Sequence, residues 1–132
     1  MTSSDAKQKI LVVDDDRDIT EWLNQLLKLQ GYLVSKAYDG LEALEHVAKE
    51  IPDLILMDLM MPRMDGQTAI RRLCTTEETC SIPVIVLSAN PPRGKAATKE
   101  MFGDGANQVQ KVLQKPAPMM DLVAEVKRCL AV

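Results

Sequence analysis

The sequence predicts an α/β fold in which a parallel sheet of five strands is covered by helices on both faces. Five short apolar segments alternate with segments whose apolar residues recur at helical spacing, which is the pattern of successive βα units. The apolar segments are continuous rather than alternating, as in strands that are buried on both faces. The length of 132 residues and the hydrophobic content of 46% suit one domain with its own core.

The first strand and the first helix are the most clearly marked elements. We predict the strand at residues 10–13, after a solvated tail at residues 1–9, and assign residues 10–132 to the folded domain. Asp16 can cap the helix that follows, and Gly31 can end it. The predicted buried stripe of this helix has i, i+3, i+4 spacing and comprises Ile19, Trp22, Leu23, Leu26 and Leu27.

The second strand and helix are separated by a turn signal. The strand is predicted at residues 32–37, and Asp39-Gly40 marks the turn after it. Pro52 closes the next helix and precedes a third strand at residues 54–57. The apolar positions of the second helix are Leu41, Leu44, Val47 and Ile51.

The second half of the chain repeats this alternation. Ala69, Ile70 and Leu73 give the third helix an apolar face, and Lys115-Pro116 ends the fifth strand. The predicted elements are a helix at 67–75, a strand at 83–87, a helix at 95–102, a strand at 109–113 and a last helix marked by Met120, Val123, Val126 and Leu130.

Composition excludes several classes of function. Lysine and arginine number 16 against 19 acidic residues, and this balance gives no basic footprint for nucleic acid. No apolar run approaches the length of about 20 residues that a membrane-spanning helix needs, and the first nine residues contain no secretory signal. Three cysteines without a C-x-x-C motif indicate neither a disulfide framework nor a zinc site. We therefore expect a cytoplasmic location.

Polar side chains follow four of the five predicted strands. They are Asp14 and Asp15, then Asp58, then Ser88, then Lys115. Each has an ordinary explanation alone, as a helix cap or part of a turn, but in an open α/β sheet ligands bind at the carboxyl ends of the strands. Their joint occurrence at successive strand ends therefore indicates one site.

The chemistry of such a cluster is specific. Three neighbouring carboxylates repel one another unless a cation neutralises them, and hard oxygen ligands suit Mg²⁺. One carboxylate could attack phosphorus and form an acyl phosphate. The cation and Lys115 would stabilise the charge on the phosphoryl oxygens, and the Ser88 hydroxyl could donate to the same group.

These segments resemble the motifs of the response-regulator receiver domains of two-component signalling. The motifs are ILVVDDD at residues 10–16, DLILMDLMMPRMDG at 53–66, IPVIVLSA at 82–89 and LQKP at 113–116. The resemblance spans about residues 8–131. It implies a flavodoxin-like fold with strand order 2-1-3-4-5, a signalling role and no enzymatic turnover.

The resemblance also implies roles for individual residues. Asp58 would accept a phosphoryl group from a phosphohistidine of a sensor histidine kinase or a histidine phosphotransfer protein. Asp15, Asp58 and the backbone carbonyl of Met60 would bind Mg²⁺ directly, and Asp14 would bind it through water. Lys115 would pair with Asp58 and later with the phosphoryl group.

Further implied features concern switching. Ser88 would bond a phosphoryl oxygen and Ala89 would leave it room, Gly66 would close the loop after the site, and a cis peptide bond would precede Pro116. The fourth helix, fifth strand and fifth helix would form the surface for a downstream target or output domain, and for a possible homodimer. No nucleic acid or membrane is expected to bind directly.

The sequence departs from the receiver pattern near its end. Val112 stands where family members usually carry an aromatic residue, and we expect it to be an ordinary strand residue. Residues 103–112 are about three residues longer than usual, which predicts a longer loop or an extended fourth helix. The apolar Met60 offers no help to an attacking water, so we expect a long-lived phosphate.

Two other interpretations remain open for the sequence. One is a receiver-like binding module that is never phosphorylated. The other is a small phosphatase of the haloacid-dehalogenase type, based on Asp14-x-Asp16; it needs an acidic pair after Lys115, where the sequence offers only Asp121 and Glu125. A stand-alone receiver and the N-terminal domain of a longer regulator are equally compatible with the sequence.

Overall fold

The computed structural model describes residues 7–131, in which strands and helices alternate throughout. The strands are β1 Lys9–Val13, β2 Leu33–Ala37, β3 Leu54–Asp58, β4 Val84–Ser88 and β5 Val109–Gln114. The helices are α1 Arg17–Leu29, α2 Gly40–Lys49, α3 Gly66–Leu73, α4 Gly94–Phe102 and α5 Met119–Leu130, and a 3₁₀-helix spans Gly103–Asn107. Within residues 7–131 we find no helix that combines the length and the apolar content needed to cross a membrane.

All strand pairs are parallel, and the strand order is β2-β1-β3-β4-β5. Both the predicted fold class and the implied strand order are therefore confirmed. β1 begins at Lys9, inside the segment predicted as a tail, because the Leu33 N–H bonds the Gln8 carbonyl and the Lys9 backbone pairs with β2. Residues 1–6 lie outside the described part of the chain.

The sheet separates two apolar layers. Successive residues of a strand point to opposite faces, so Leu11 packs with α2, α3 and Phe102 while Val12 packs with α1 and α5. β3 and β4 are buried along their whole length, as their continuous apolar sequences predict. Because the strands are parallel, their carboxyl ends lie along one edge of the sheet, where side chains can be placed for chemistry.

Three aspartates cap helices next to that row of strand ends. Asp16 accepts hydrogen bonds from the N–H groups of Asp18 and Ile19, so its predicted role as the cap of α1 is confirmed. Asp39 and Asp65 cap α2 and α3 in the same way. Gly31 follows α1 with φ 97°, a conformation that suits glycine after a helix end.

Some apolar positions predicted from periodicity are wrong. Trp22 of α1, Leu41 of α2 and Met120 of α5 are exposed. Ile51 is also exposed, and it lies beyond the end of α2 at Lys49. The buried residues of α5 are Leu122, Val126 and Leu130. Periodicity fixes the spacing of a stripe, but two adjacent stripes with similar residues can satisfy it, and packing against the sheet selects one.

The long segment 103–112 becomes a 3₁₀-helix followed by a bulge. Val84 pairs with Val109, whereas Ile85 pairs with Lys111, so Gln110 is an extra residue in β5. The side chain of Gln108 is buried and donates to the carbonyls of Thr79 and Ile82. The extra length is thus absorbed in ordered backbone at the sheet edge.

Candidate functional site

The first acidic residues of the site follow β1. Asp14 is 3% exposed; its N–H bonds the Ala37 carbonyl at the end of β2, and its Oδ1 accepts the Asp16 N–H at 2.9 Å. Asp15 is exposed beside it. The turn between β1 and α1 therefore places one carboxylate inside the crevice and the other at its mouth.

The third carboxylate belongs to Asp58, the last residue of β3. Asp58 is 6% exposed, and carboxylate oxygens of Asp14, Asp15 and Asp58 lie within 4.8 Å of one another. Its Oδ1 accepts the Leu59 N–H at 2.8 Å, and its Oδ2 lies 3.4 Å from Lys115 Nζ. The two oxygens of Asp58 thus have different surroundings.

Lys115 reaches the cluster from the end of β5. Its Nζ lies 2.5 Å from Asp14 Oδ2, closer than to Asp58. The backbone N–H of Lys115 donates to the Ser88 carbonyl at 2.9 Å. The peptide bond between Lys115 and Pro116 is cis, as the resemblance implies. One ammonium among three carboxylates leaves an excess of two negative charges.

The pKa values of the buried pair reflect this balance. Burial raises the pKa of Asp58, and the charge of Asp14 raises it further; the ammonium of Lys115 and the Leu59 N–H oppose this without cancelling it. Burial lowers the pKa of Lys115, but its bonds to Asp14 and Asp58 together outweigh burial and raise it. The lysine is therefore charged at neutral pH.

Gly66 brings α3 against the end of β3. A Cβ atom at this position would lie 2.0 Å from the Asp58 carbonyl oxygen. The Gly66 N–H bonds the Leu59 carbonyl at 3.0 Å, which closes the intervening loop. No residue with a side chain fits this backbone without moving Asp58.

Ser88 and Met60 lie at or just beyond the carboxyl ends of β4 and β3. Ser88 is buried at the end of β4, and its Oγ accepts the Asn90 N–H at 3.2 Å, so its proton is free to be donated elsewhere. Met60 follows the end of β3 by two residues, and the residue is 76% exposed. Glu125, part of the acidic pair that a phosphatase would need, instead faces Arg128 and Lys111 on α5 and β5.

Sequence reasoning missed an ion pair next to the site. Arg63 Nε lies 2.7 Å from Asp39 Oδ2, and Arg63 Nη2 lies 3.4 Å from Glu42 Oε2. The turn signal Asp39-Gly40 predicts no further role for Asp39. The spacing Asp39-x-x-Glu42 is that of a capping box and could have marked both residues as the start of α2.

Comparison with known proteins identifies the class. A family model described as the response regulator receiver domain matches residues 10–127. The chain belongs to this family, whose members are phosphoacceptors in two-component signalling, and the resemblance seen in its motifs is confirmed. Response regulator MprA of Mycobacterium ulcerans is 38% identical over 122 residues, and MprA of Mycobacterium tuberculosis strain H37Ra is 37% identical. These alignments cover 92% of this chain but 50% of each relative, so the chain spans about half their length.

Solved structures agree with this assignment. A putative response regulator from Chloroflexus aurantiacus has a TM-score of 0.81 at 32% identity, covering 96% of this chain and 99% of that one. Chemotaxis response regulator CheY4 of Vibrio cholerae has a TM-score of 0.81 at 29% identity, covering 94% and 99%. These matches cover at least 94% of this chain and 99% of each solved structure, so the fold described above is shared with them.

Proposed function

We propose that this receiver domain, residues 10–132, takes its phosphoryl group on Asp58 from the phosphohistidine of a sensor histidine kinase or a histidine phosphotransfer protein. In the transfer an Asp58 carboxylate oxygen bonds to phosphorus as the bond from phosphorus to the imidazole nitrogen breaks. The imidazole retains the electron pair of that bond and regains a proton from solvent. The product is an acyl phosphate on Asp58.

The observation that carries the proposal is the position of Lys115. Its ammonium lies within 3.4 Å of both Asp14 and Asp58, inside a cluster of three carboxylates. An ammonium so placed can pair with an oxygen of the arriving phosphoryl group after only a small movement. An ordinary structural ion pair would not need the additional carboxylates.

The same cluster fits Mg²⁺. Its donors are carboxylate oxygens, and its excess of two negative charges matches one divalent cation. We propose that Asp15, Asp58 and the Met60 carbonyl bind the ion directly and that Asp14 binds it through water. When bound, Mg²⁺ neutralises charge on the phosphoryl oxygens; Lys115 and the Leu59 N–H remain the groups that the chain itself supplies next to Asp58.

Switching would begin at Ser88. The proton of its hydroxyl can turn toward a phosphoryl oxygen on Asp58, and Ala89 leaves space for that movement. The affected surface is formed by α4, β5 and α5. A groove of about 1060 Å³ lies between α4 and β5, and its charged lining residues are Arg93, Lys95, Lys99, Lys111 and Asp104. Four of these five are basic, so the groove suits an acidic segment of a downstream target or output domain.

The proposal defines a cytoplasmic signalling domain rather than a turnover enzyme. It acts as a stand-alone receiver or as the N-terminal half of a longer regulator, with α4, β5 and α5 also available for a homodimer. Neither nucleic acid nor membrane is part of the proposed function.

The test is intact-mass spectrometry after incubation with acetyl phosphate. We expect one added phosphoryl group that requires Mg²⁺ and is absent from Asp58→Asn. Asp53→Asn is the control, because it removes an exposed carboxylate at the opposite end of β3. Persistent failure of a folded protein to gain mass would have two explanations. Beryllofluoride separates them: chemical shifts that respond to it indicate a short-lived phosphate, and no response indicates a binding module that is never phosphorylated.

A further inference from the structure

The loop after β3 is held from the side by the start of α2. Arg63 of this loop donates from Nε to Asp39 Oδ2 at 2.7 Å and from Nη2 to Glu42 Oε2 at 3.4 Å. Asp39 is buried and is fixed in turn by capping α2, where it accepts the Glu42 N–H at 2.8 Å. The arginine therefore bonds to a rigid partner.

The backbone of Arg63 is unusual. Among residues 7–131 it is the only residue other than glycine with a positive φ, at 63°. Side chains with a Cβ atom disfavour this left-handed region, and such a conformation persists where surrounding contacts determine it. The bonds to α2 are such contacts, and they set the path of the loop at this point.

The rest of the loop is anchored close by. The Gly40 N–H bonds the Met64 carbonyl at 2.8 Å, and the Gly66 N–H bonds the Leu59 carbonyl at 3.0 Å. Arg63 lies between these two anchors. Residues 60–62 therefore have their position fixed from Leu59 on one side and from Arg63 on the other.

We propose that Arg63 is a positioning residue for the cation site. By bonding to Asp39 and Glu42 it holds the loop backbone so that the Met60 carbonyl faces the carboxylates of Asp15 and Asp58. This inference rests on the proposed function, in which that carbonyl is a Mg²⁺ ligand. Through Arg63, the start of α2 would influence Mg²⁺ affinity although it contributes no ligand.

Whether Mg²⁺ affinity rises or falls when Arg63 is replaced distinguishes positioning from electrostatics. Arg63 is a cation near an acidic site, so its removal by electrostatics alone would strengthen Mg²⁺ binding. Loss of positioning would weaken it instead. Groups that orient metal ligands typically change affinity by about 10- to 100-fold; because Arg63 is half exposed and Gly40 remains as an anchor, we expect a loss of about threefold to tenfold.

The experiment is a Mg²⁺ titration followed by the amide chemical shifts of residues 14, 58 and 59. Arg63→Asn is the test variant, because asparagine tolerates positive φ but is too short to reach Asp39. Arg63→Lys keeps the charge without the planar fork and should give a smaller loss. Lys9→Asn is the matched control: it removes one cation from an exposed ion pair with Glu50, at the opposite end of the sheet.

A second readout separates positioning from general structural damage. With acetyl phosphate, Arg63→Asn should need about threefold to tenfold more Mg²⁺ for half-maximal phosphorylation, with the rate at saturating Mg²⁺ nearly unchanged. A dissociation constant within twofold of wild type, or lower, overturns the inference and leaves the proposed function intact. If the wild-type protein itself shows no Mg²⁺-dependent shifts, the proposed cation site is wrong, and the inference with it.

Discussion

Replacing Gly66 with alanine should destabilise the domain and displace the end of β3 that carries Asp58. The added Cβ would lie 2.0 Å from the Asp58 carbonyl oxygen, and 3.0 Å from both the Asp58 carbonyl carbon and the Met57 Cγ. An ordinary carbon–oxygen contact is longer by more than 1 Å. Either the end of β3 or the start of α3 must move by about that distance.

Neither element can move freely. Asp58 of β3 pairs with Leu87 of the neighbouring strand β4. The start of α3 is fixed by Asp65, which caps the helix by accepting the Thr68 N–H at 2.8 Å. Inserting a methyl group into such packing costs about 1–3 kcal/mol, and more where backbone must shift. We expect Gly66→Ala to lose about 3 kcal/mol, equivalent to a fall in midpoint temperature of roughly 10 °C.

The assay is thermal and urea unfolding, compared with Gly31→Ala. Gly31 has φ 97° and no atom within 4 Å of the added Cβ, so that variant experiences only backbone strain of about 1 kcal/mol. The phosphorylation rate should fall in Gly66→Ala and not in Gly31→Ala. If Gly66→Ala is as stable as Gly31→Ala and phosphorylates at the wild-type rate, the close contact does not hold Asp58 in place.

Three further predictions follow from the site and its caps. Asp58→Asn should stabilise the domain at neutral pH in EDTA, because folding raises the pKa of Asp58 and its ionised carboxylate therefore destabilises the folded state. This destabilisation is complete above the folded pKa and disappears below the unfolded pKa. A pH series of urea midpoints should therefore show the gain in stability shrinking as the pH falls. An equal gain at all pH values would contradict this. Asp16→Ala should lose about 1 kcal/mol with the loss of the α1 cap, and its phosphorylation should remain normal; calorimetry that finds no loss would rule out the cap as a stabilising element. Met60→Asn should shorten the lifetime of the phosphate, followed by ³¹P NMR, because a polar side chain can orient the attacking water; an unchanged decay rate would exclude Met60 from that role.

The site was predictable because the topology of a parallel sheet determines which residues lie together. Parallel strands bring their carboxyl ends to one edge, so residues as distant in sequence as Asp14 and Lys115 had to lie near each other once the strands were identified. The continuous apolar sequences of β3 and β4 identified those strands directly. Asp16 was equally readable as a cap, because capping depends on local residues alone.

Other features depend on choices that the local sequence does not make. Trp22 and Met120 satisfy helical periodicity yet lie at the surface, because only packing decides which stripe faces the sheet. The bulge at Gln110 depends on how β5 pairs with β4. The ion pair of Arg63 with Asp39 joins two loops that are 24 residues apart, and no periodic pattern connects them.

The position of Lys115 suggests how one lysine can serve both states of the site. It bonds Asp14 at 2.5 Å and lies 3.4 Å from Asp58 Oδ2, so Asp58 is the less tightly paired of its two partners. In the proposed phosphotransfer, Asp58 would therefore keep an oxygen that is available to attack phosphorus. The proposed transfer would replace the carboxylate charge of Asp58 with the larger charge of a phosphoryl group, and Lys115 would then pair more strongly by shifting toward it. Asp14 would then lose its ammonium partner and would depend on the divalent cation for neutralisation, which gives a physical reason for the third carboxylate at this edge of the sheet.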